Sequence, residues 1–177
     1  MLVHINGYPA VGKLTIGRAL AARLGARLLD NHSVYNVAFA LAEFRSPEFD
    51  DTVRAVRDIA FRRVLALPPA QPVILTTWDS RDSAWGEENW DEVIALARRR
   101  PSPLAVVVLA CSPEENERRL QSSGRDAMRK PRDAALAQHN RNRRPLIDRG
   151  GDKTLHLDVT NLDAGAAATA IAAWLQG

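Results

Sequence analysis

The chain has 177 residues, 46% of them hydrophobic and 25% charged, with a formal net charge of +3 and a single cysteine. That length supports one well-buried core rather than two ordinary domains. The lone Cys111 excludes an internal disulfide, a cysteine-rich zinc cluster and a secreted disulfide scaffold, so a reducing, cytoplasmic setting is expected. The first residues carry no leader-like pattern, and no run of about 18 apolar residues predicts a membrane span.

Short apolar runs alternate with longer helical patterns, the order expected of βαβ units around a parallel sheet. The first strand is expected at 2–6. It leads directly into Gly7-Tyr8-Pro9-Ala10-Val11-Gly12-Lys13-Leu14-Thr15, which opens a helix carrying Ile16, Leu20 and Leu24 before a stop at Gly25. A second strand at 26–29 hands over to Asp30, Asn31 and His32. Val53, Val56, Ala60, Val64 and Leu65 form a helical apolar stripe, and a Pro-rich loop at 68–72 precedes a third strand at 73–77. Trp78-Asp79-Ser80-Arg81 follows it. A fourth strand is expected at 104–110, before a helix opened by Ser112-Pro113-Glu114-Glu115, where serine caps, proline suits the first helical position and Glu115 completes a capping box. A fifth strand at 154–159 precedes a last helix from about Asp163, with Ala167, Ile171, Trp174 and Leu175 facing inward.

The pattern G-x-x-x-x-G-K between a strand and a helix carries the chemistry. Its glycines let the backbone curl so that successive N–H groups point into one concavity. The helix N-terminus adds its positive end, and Lys13 reaches outer phosphates. The alternative is a glycine-containing turn with an ordinary surface lysine. Asp30 and the segment Asp79 to Arg81 fall at carboxyl edges of the sheet, where ligands bind in doubly wound folds. Asp79 and Arg81 are candidates for lining an acceptor pocket, with Trp78 stacking on a ring or simply packing beside the turn. Between Arg118 and Arg149 ten basic residues face three acids, an excess of seven positive charges, so an anionic partner is expected, whether a polyphosphate or a nucleic acid. Within it, the polar, Arg-rich stretch 124–132 reads as a mobile lid.

With Pro9 and with Thr15 two residues beyond Lys13, the loop resembles the G-x-P-x-x-G-K-x-T loop of adenylate kinase and other nucleoside-monophosphate kinases, although Ala10 and Leu14 replace glycines common there. Asp30 resembles an acid at the same place in shikimate kinase, gluconate kinase and the chloramphenicol-type antibiotic phosphotransferases. This resemblance to P-loop small-molecule kinases implies an α/β P-loop NTPase fold: a five-stranded parallel sheet with helices on both faces. The whole chain, 1–177, would be one domain with a helical acceptor-binding insertion at about 33–67 and a lid at about 124–132.

The activity implied is ATP-dependent transfer of the γ-phosphoryl group to a hydroxyl or other oxygen of a small, anionic acceptor, with Mg2+. By the same resemblance, Gly7, Tyr8, Pro9, Ala10, Val11, Gly12, Lys13, Leu14 and Thr15 would hold the nucleotide, Arg119 would lie over adenine, and Asn161 would lie beside it. Lys13, Asp30, Arg125 and Arg129 would be catalytic, with Asp30 as general base and Thr15 and Asp30 towards the metal. Asp30, His32, Asp79, Arg81 and Arg144 would meet the acceptor, Arg144 at its anionic group. The alternative reading of Asp30 is a helix N-cap, and that of His32 is a surface residue at a helix start. A nucleoside-monophosphate kinase, a nucleic-acid-associated ATPase and a non-catalytic nucleotide-binding protein remain open alternatives. GTPase chemistry is disfavoured, since no N-K-x-D guanine motif is present, and the absence of Phe, Tyr and Trp between Arg118 and Arg149 weakens stacking on exposed bases.

Overall fold

The computed structural model describes residues 1–121 and 145–177; the expected lid at 124–132, with Arg125 and Arg129, and the expected acceptor residue Arg144 lie outside them. Five parallel strands form one sheet in the order β2-β3-β1-β4-β5. They are β1 (Leu2–Gly7), β2 (Arg27–Asp30), β3 (Val73–Thr77), β4 (Leu104–Ala110) and β5 (Lys153–Asp158). The expected strands at 26–29 and 154–159 are each displaced by one residue. The Ala26 N–H is drawn back to Ala21 O, so pairing starts only at Arg27.

Among the described residues the helices are α1 (Lys13–Leu24), α2 (Asn31–Leu41), α3 (Pro47–Ala66), α4 (Ala84–Arg99), α5 (Pro113–Leu120) and, last, α6 (Ala164–Gln176). Helices cover both faces of the sheet, which accounts for the continuous apolar character of β1, β3 and β4. On one face Val3, Ile5 and Val107 pack with Ile16 and Leu20 of α1 and Ala168 and Ile171 of α6. On the other, Leu2, Leu75 and Val106 meet Trp90 and Val93 of α4 and Val64 of α3. The segment expected as an insertion is the helix pair α2 and α3, which encloses its own small core of Val34, Ala38, Phe49 and Val53.

Local chemistry sets the helix ends. Ser46, Ser83 and Ser112 each cap a helix, accepting from Phe49 N, Gly86 N and Glu115 N. Gly25 stops α1 with φ 60°, a conformation that glycine adopts without the Cβ penalty. The far end of α3 is fastened to the end of α4 by Arg100, which is buried and donates to Val64 O at 2.6 Å, Pro68 O at 2.9 Å and Gln71 O at 2.7 Å.

Removing that guanidinium leaves Gln71 O without this donor and takes a charged donor from Val64 O and Pro68 O, which keep Leu67 N and Gln71 N; hydrogen bonds to charged groups are worth about 1.5–3 kcal/mol each. Arg100→Ala is expected to lose about 3 kcal/mol or more in urea denaturation with an unchanged m-value. A loss below about 0.5 kcal/mol would show that water replaces the arginine at no cost.

Candidate active site

β1 is central, flanked by β3 and β4, and its carboxyl end runs into the loop 7–12. Two residues of that loop have left-handed backbone, Ala10 at φ 67° and Gly12 at φ 105°. Alanine at such a position carries roughly 1–2 kcal/mol of strain, which explains why glycine is the easier choice there. Gly12 takes the N-cap position of α1 without any side-chain cap, so the first N–H groups of the helix are not satisfied by a cap as they are in α3, α4 and α5. Lys13 folds back over the loop, its ammonium donating to Gly7 O at 2.6 Å and Tyr8 O at 2.9 Å. An uncapped, positively polarised helix end beside a lysine matches the requirements of a phosphate group.

Asp79, just past β3, lies at the same edge and is 1% exposed. Its main chain is held tightly: Asn6 Nδ2 donates to Asp79 O at 2.9 Å, Asp79 N donates to Asn6 Oδ1 at 3.0 Å, and Ile147 N donates to Asp79 O at 3.2 Å. Its carboxylate is held loosely. Asn89 Nδ2 reaches Oδ1 at 3.4 Å, and Oδ2 is buried with no hydrogen-bond donor in standard geometry. Burial pushes the Asp79 carboxyl up to about 6, against the opposing pull of Thr77, Asn89, Lys13 and Arg57. Helix α4 comes very near this segment: a Cβ on Gly86 would stand 2.8 Å from both Ser80 N and Ser80 O, so only glycine fits.

The other expected acid is placed differently. Asp30 caps α2, with Oδ2 accepting from His32 N at 3.2 Å while Oδ1 accepts from the Thr76 hydroxyl at 2.6 Å. Both of its oxygens are therefore engaged, and His32 sits in the first turn of α2, half-buried. Arg81 is exposed and paired with Asp148. It acts as a strut between the Asp79 segment and the chain at 145–149, which also bond through Arg81 N to Pro145 O and a Ser80–Leu146 bridge.

Arg119 occupies the side of the loop away from β3. Its guanidinium donates to Val11 O and Val159 O, both at 2.9 Å, and to Glu115 at 2.6 Å, tying the phosphate loop to the turn after β5. Asn161 is exposed in that turn. Thr15 is exposed in the first turn of α1. Among the described residues no group of three or more His, Cys, Asp or Glu side chains is gathered as a metal cage.

Sequence reasoning missed the polar network that reaches the site from the helix pair. Arg54 bonds Glu88 through both Nε and Nη2, at 2.8 and 2.9 Å, and Arg57 bonds Glu88 at 2.9 Å and also Asn89. These bonds, that of Arg54 first, hold the Glu88 carboxyl down at about 2. The Tyr35 hydroxyl accepts from Trp85 Nε1 at 2.6 Å and Asn89 Nδ2 at 3.3 Å. Asn6 was also missed. Only its position at the end of a strand before a glycine loop marks it in the sequence.

A family profile described as an AAA domain matches residues 3–144. The chain belongs to the AAA-domain family. This AAA-domain protein is also similar to solved structures across its full length. A presumed kinase from Chloroflexus aurantiacus is 22% identical with a TM-score of 0.70, covering 99% of this chain and 95% of that one. A gluconokinase from Sinorhizobium meliloti is 17% identical with a TM-score of 0.60, covering 98% and 94%. A shikimate kinase from Bacteroides thetaiotaomicron is 16% identical with a TM-score of 0.61, covering 100% and 99%. At these identities the likeness establishes the fold, an α/β P-loop fold of the kind these kinases have. A search among curated proteins finds no match. Among the described residues, no helix of this AAA-domain protein is long and apolar enough to cross a membrane.

The Asp79 carboxyl titrates near 6 when folded and near 3.8 otherwise, so folding favours its protonated form. The stability this group contributes is fully present below pH 3.8 and is lost as the pH rises through about 6. Asp79→Asn is therefore expected to be more stable than the wild type at pH 8 by about 1–3 kcal/mol. The gain should vanish below about pH 4 in chemical denaturation. Equal stability of the two proteins at pH 8 would mean that the carboxylate is not desolvated.

Proposed function

We propose that this AAA-domain protein is an ATP-dependent phosphotransferase acting on an oxygen of a small, anionic molecule. The observation that carries this reading is the pairing of an uncapped helix end and Lys13 with a buried, under-coordinated carboxylate, Asp79, whose electrostatics Lys13 influences. A phosphate-binding loop alone would serve many nucleotide-binding proteins. A carboxylate with a raised pKa and a buried oxygen that no donor occupies, beside that loop, is what phosphoryl transfer adds.

In this mechanism the N–H groups of the loop 7–12 and of the first turn of α1 hold phosphate oxygens, and Lys13 shifts from its own loop carbonyls to the outer phosphates. The acceptor hydroxyl approaches Asp79 Oδ2. As the bond from the acceptor oxygen to the γ-phosphorus forms and the bond to the departing ADP oxygen breaks, the hydroxyl proton passes to Oδ2. A carboxyl near 6 is ionised at neutral pH yet more basic than an ordinary aspartate, which is the balance a general base needs. Mg2+, when bound, would neutralise phosphate charge. Thr15 and, through water, Asp30 are the residues proposed to hold it, with the N-cap bonds of Asp30 fixing its position. Arg119 and Asn161 are proposed to border the adenine, with Arg119 presenting a guanidinium already locked by three acceptors. His32, Asp79 and Arg81 are proposed for the acceptor side.

The chain is proposed to work as one domain, with α2 and α3 forming the acceptor-binding part. Several fold relatives are named for hydroxy-acid or sugar phosphorylation, which supports the choice of acceptor class.

Calorimetric titration with ATP and Mg2+ should show binding to the wild type and its loss in Lys13→Ala. In transfer assays against hydroxy acids, sugars, nucleotides and aminoglycosides, Asp79→Asn should lower kcat by about 100- to 10,000-fold and remove an acid limb near pH 6. A comparable loss in Asp30→Asn with Asp79→Asn unaffected would assign the base to Asp30. No ATP binding by the wild type would overturn the reading.

A further inference from the structure

The polar atoms of the Asn6 side chain all bond to main chain, and the groups they join come from three separate parts of the sequence. Its Oδ1 accepts from Gly7 N at 2.8 Å and from Asp79 N at 3.0 Å. Its Nδ2 donates to Asp79 O and to Ile147 O, both at 2.9 Å. Asn6 is fully buried, and these four bonds saturate what a carboxamide can usually make. The amide thus bridges the first residue of the phosphate loop, both polar main-chain groups of Asp79, and the segment that runs antiparallel to Asp79.

This arrangement is unusual for a residue inside a parallel sheet. Position 6 pairs with Thr77 on one side and Val108 on the other, and a structural role there would be filled by an apolar side chain, as at Leu2 on the same face. Packing therefore does not explain an amide. The same bonds explain why Asp79 can keep an under-coordinated carboxylate: its backbone is fixed by Asn6 and Ile147, so the carboxylate need not bond anything to stay in place.

We propose that Asn6 is the positioning residue that fixes Asp79 relative to the phosphate loop, so that nucleotide and acceptor are held in one frame. The proposal rests on the phosphotransferase reading for its kinetic consequences and on geometry alone for its structural ones. No other side chain of this size offers two donors and two acceptors in one plane. Asp would turn an oxygen towards two carbonyls, and Ser, with a single donor on a shorter side chain, could serve at most one of the two carbonyls. Misplacement of a reacting group by about 1 Å costs on the order of 100-fold in rate.

The test compares wild type, Asn6→Ser and Asn6→Asp. ATP binding is measured by calorimetry, kcat is measured across pH with the acceptor found, and the Asp79 side-chain carboxyl is titrated by carbon-13 NMR, with Asp79→Asn to assign the signal. Asn6→Ser should keep ATP affinity little changed, lose on the order of 100-fold in kcat, and move the acid limb and the Asp79 titration down towards an ordinary aspartate. Asn6→Asp should lose more. Unchanged kcat and titration in Asn6→Ser would overturn the proposal, as would equal losses of kcat and ATP affinity with the Asp79 titration in place. If the wild type transfers no phosphoryl group, the phosphotransferase reading fails, and the NMR titration alone decides the role of Asn6. If neither variant folds, hydrogen exchange in the wild type decides. ATP should slow exchange of the Gly7 and Asp79 amides together, and a change at Gly7 alone would overturn the proposal.

Discussion

The bare N-terminus of α1 is the constraint around which the rest of the site is arranged. A helix end without a cap leaves polarised N–H groups that must find partners. Gly12, at φ 105°, is the residue that lets the chain turn there from loop to helix. The surroundings then follow from what such an end requires. Lys13 covers the loop carbonyls, Arg119 ties Val11 to the turn after β5, and Asn6 fixes the loop's first residue to the neighbouring strand's end. The strain at Ala10 belongs to the same turn. Backbone held in a sparsely populated conformation persists only where its neighbours over-determine it.

The two faces of the sheet divide the labour. The α1 and α6 side is largely apolar, Thr76 being a buried hydroxyl against Gly17 of α1, and it anchors the phosphate loop through Ile16 and Leu20. The opposite side is largely apolar but carries His4 and Asn6 on β1, between strands that are otherwise hydrophobic. Burial pushes the His4 imidazole down to about 3, so it stays neutral, 2.8 Å from the Thr77 hydroxyl and against the Trp90 ring. A chain of polar groups thus runs beneath the acceptor edge, and α4 approaches it closely because Gly86 has no side chain to hold it off.

Much of the fold was legible because it is written locally. The strand at 73–77 and the strand at 104–110 have the bounds their apolar runs predict, and the serine caps at Ser112 and the stop at Gly25 act as their chemistry requires. The phosphate loop was legible for the same reason: its glycines, lysine and flanking elements are contiguous. The far side of the site was not. Asp30 and Asp79 look alike in the sequence, two aspartates at strand ends, and what separates them is the company each keeps. Thr76 and the α2 N-terminus occupy Asp30, whereas α4 reaches only Oδ1 of Asp79, through Asn89, and leaves Oδ2 buried without a donor. The bonds from Asn6 to Asp79 span 73 residues and the bond from Asn6 to Ile147 spans 141. No periodicity records contacts of that range. Arg81 and Arg119 show the converse, since cations that read as free to meet a ligand are held by Asp148 and by main-chain carbonyls and Glu115.

The position of β1 in the sheet also bears on how the protein reaches its fold. Its partners begin at Val73 and Leu104, so Leu2 pairs with nothing near it in sequence. On a ribosome, β1 must wait for both partners to emerge, and until then its apolar face and its unpaired edges remain open to wrong partners. The phosphate loop takes its place only after that closure, because Gly7 pairs with Leu109 and Arg119 ties Val11 to Val159. Phosphate binding is thus a property of the finished sheet. A ligand that recognises only that state would draw late intermediates towards the native fold by mass action.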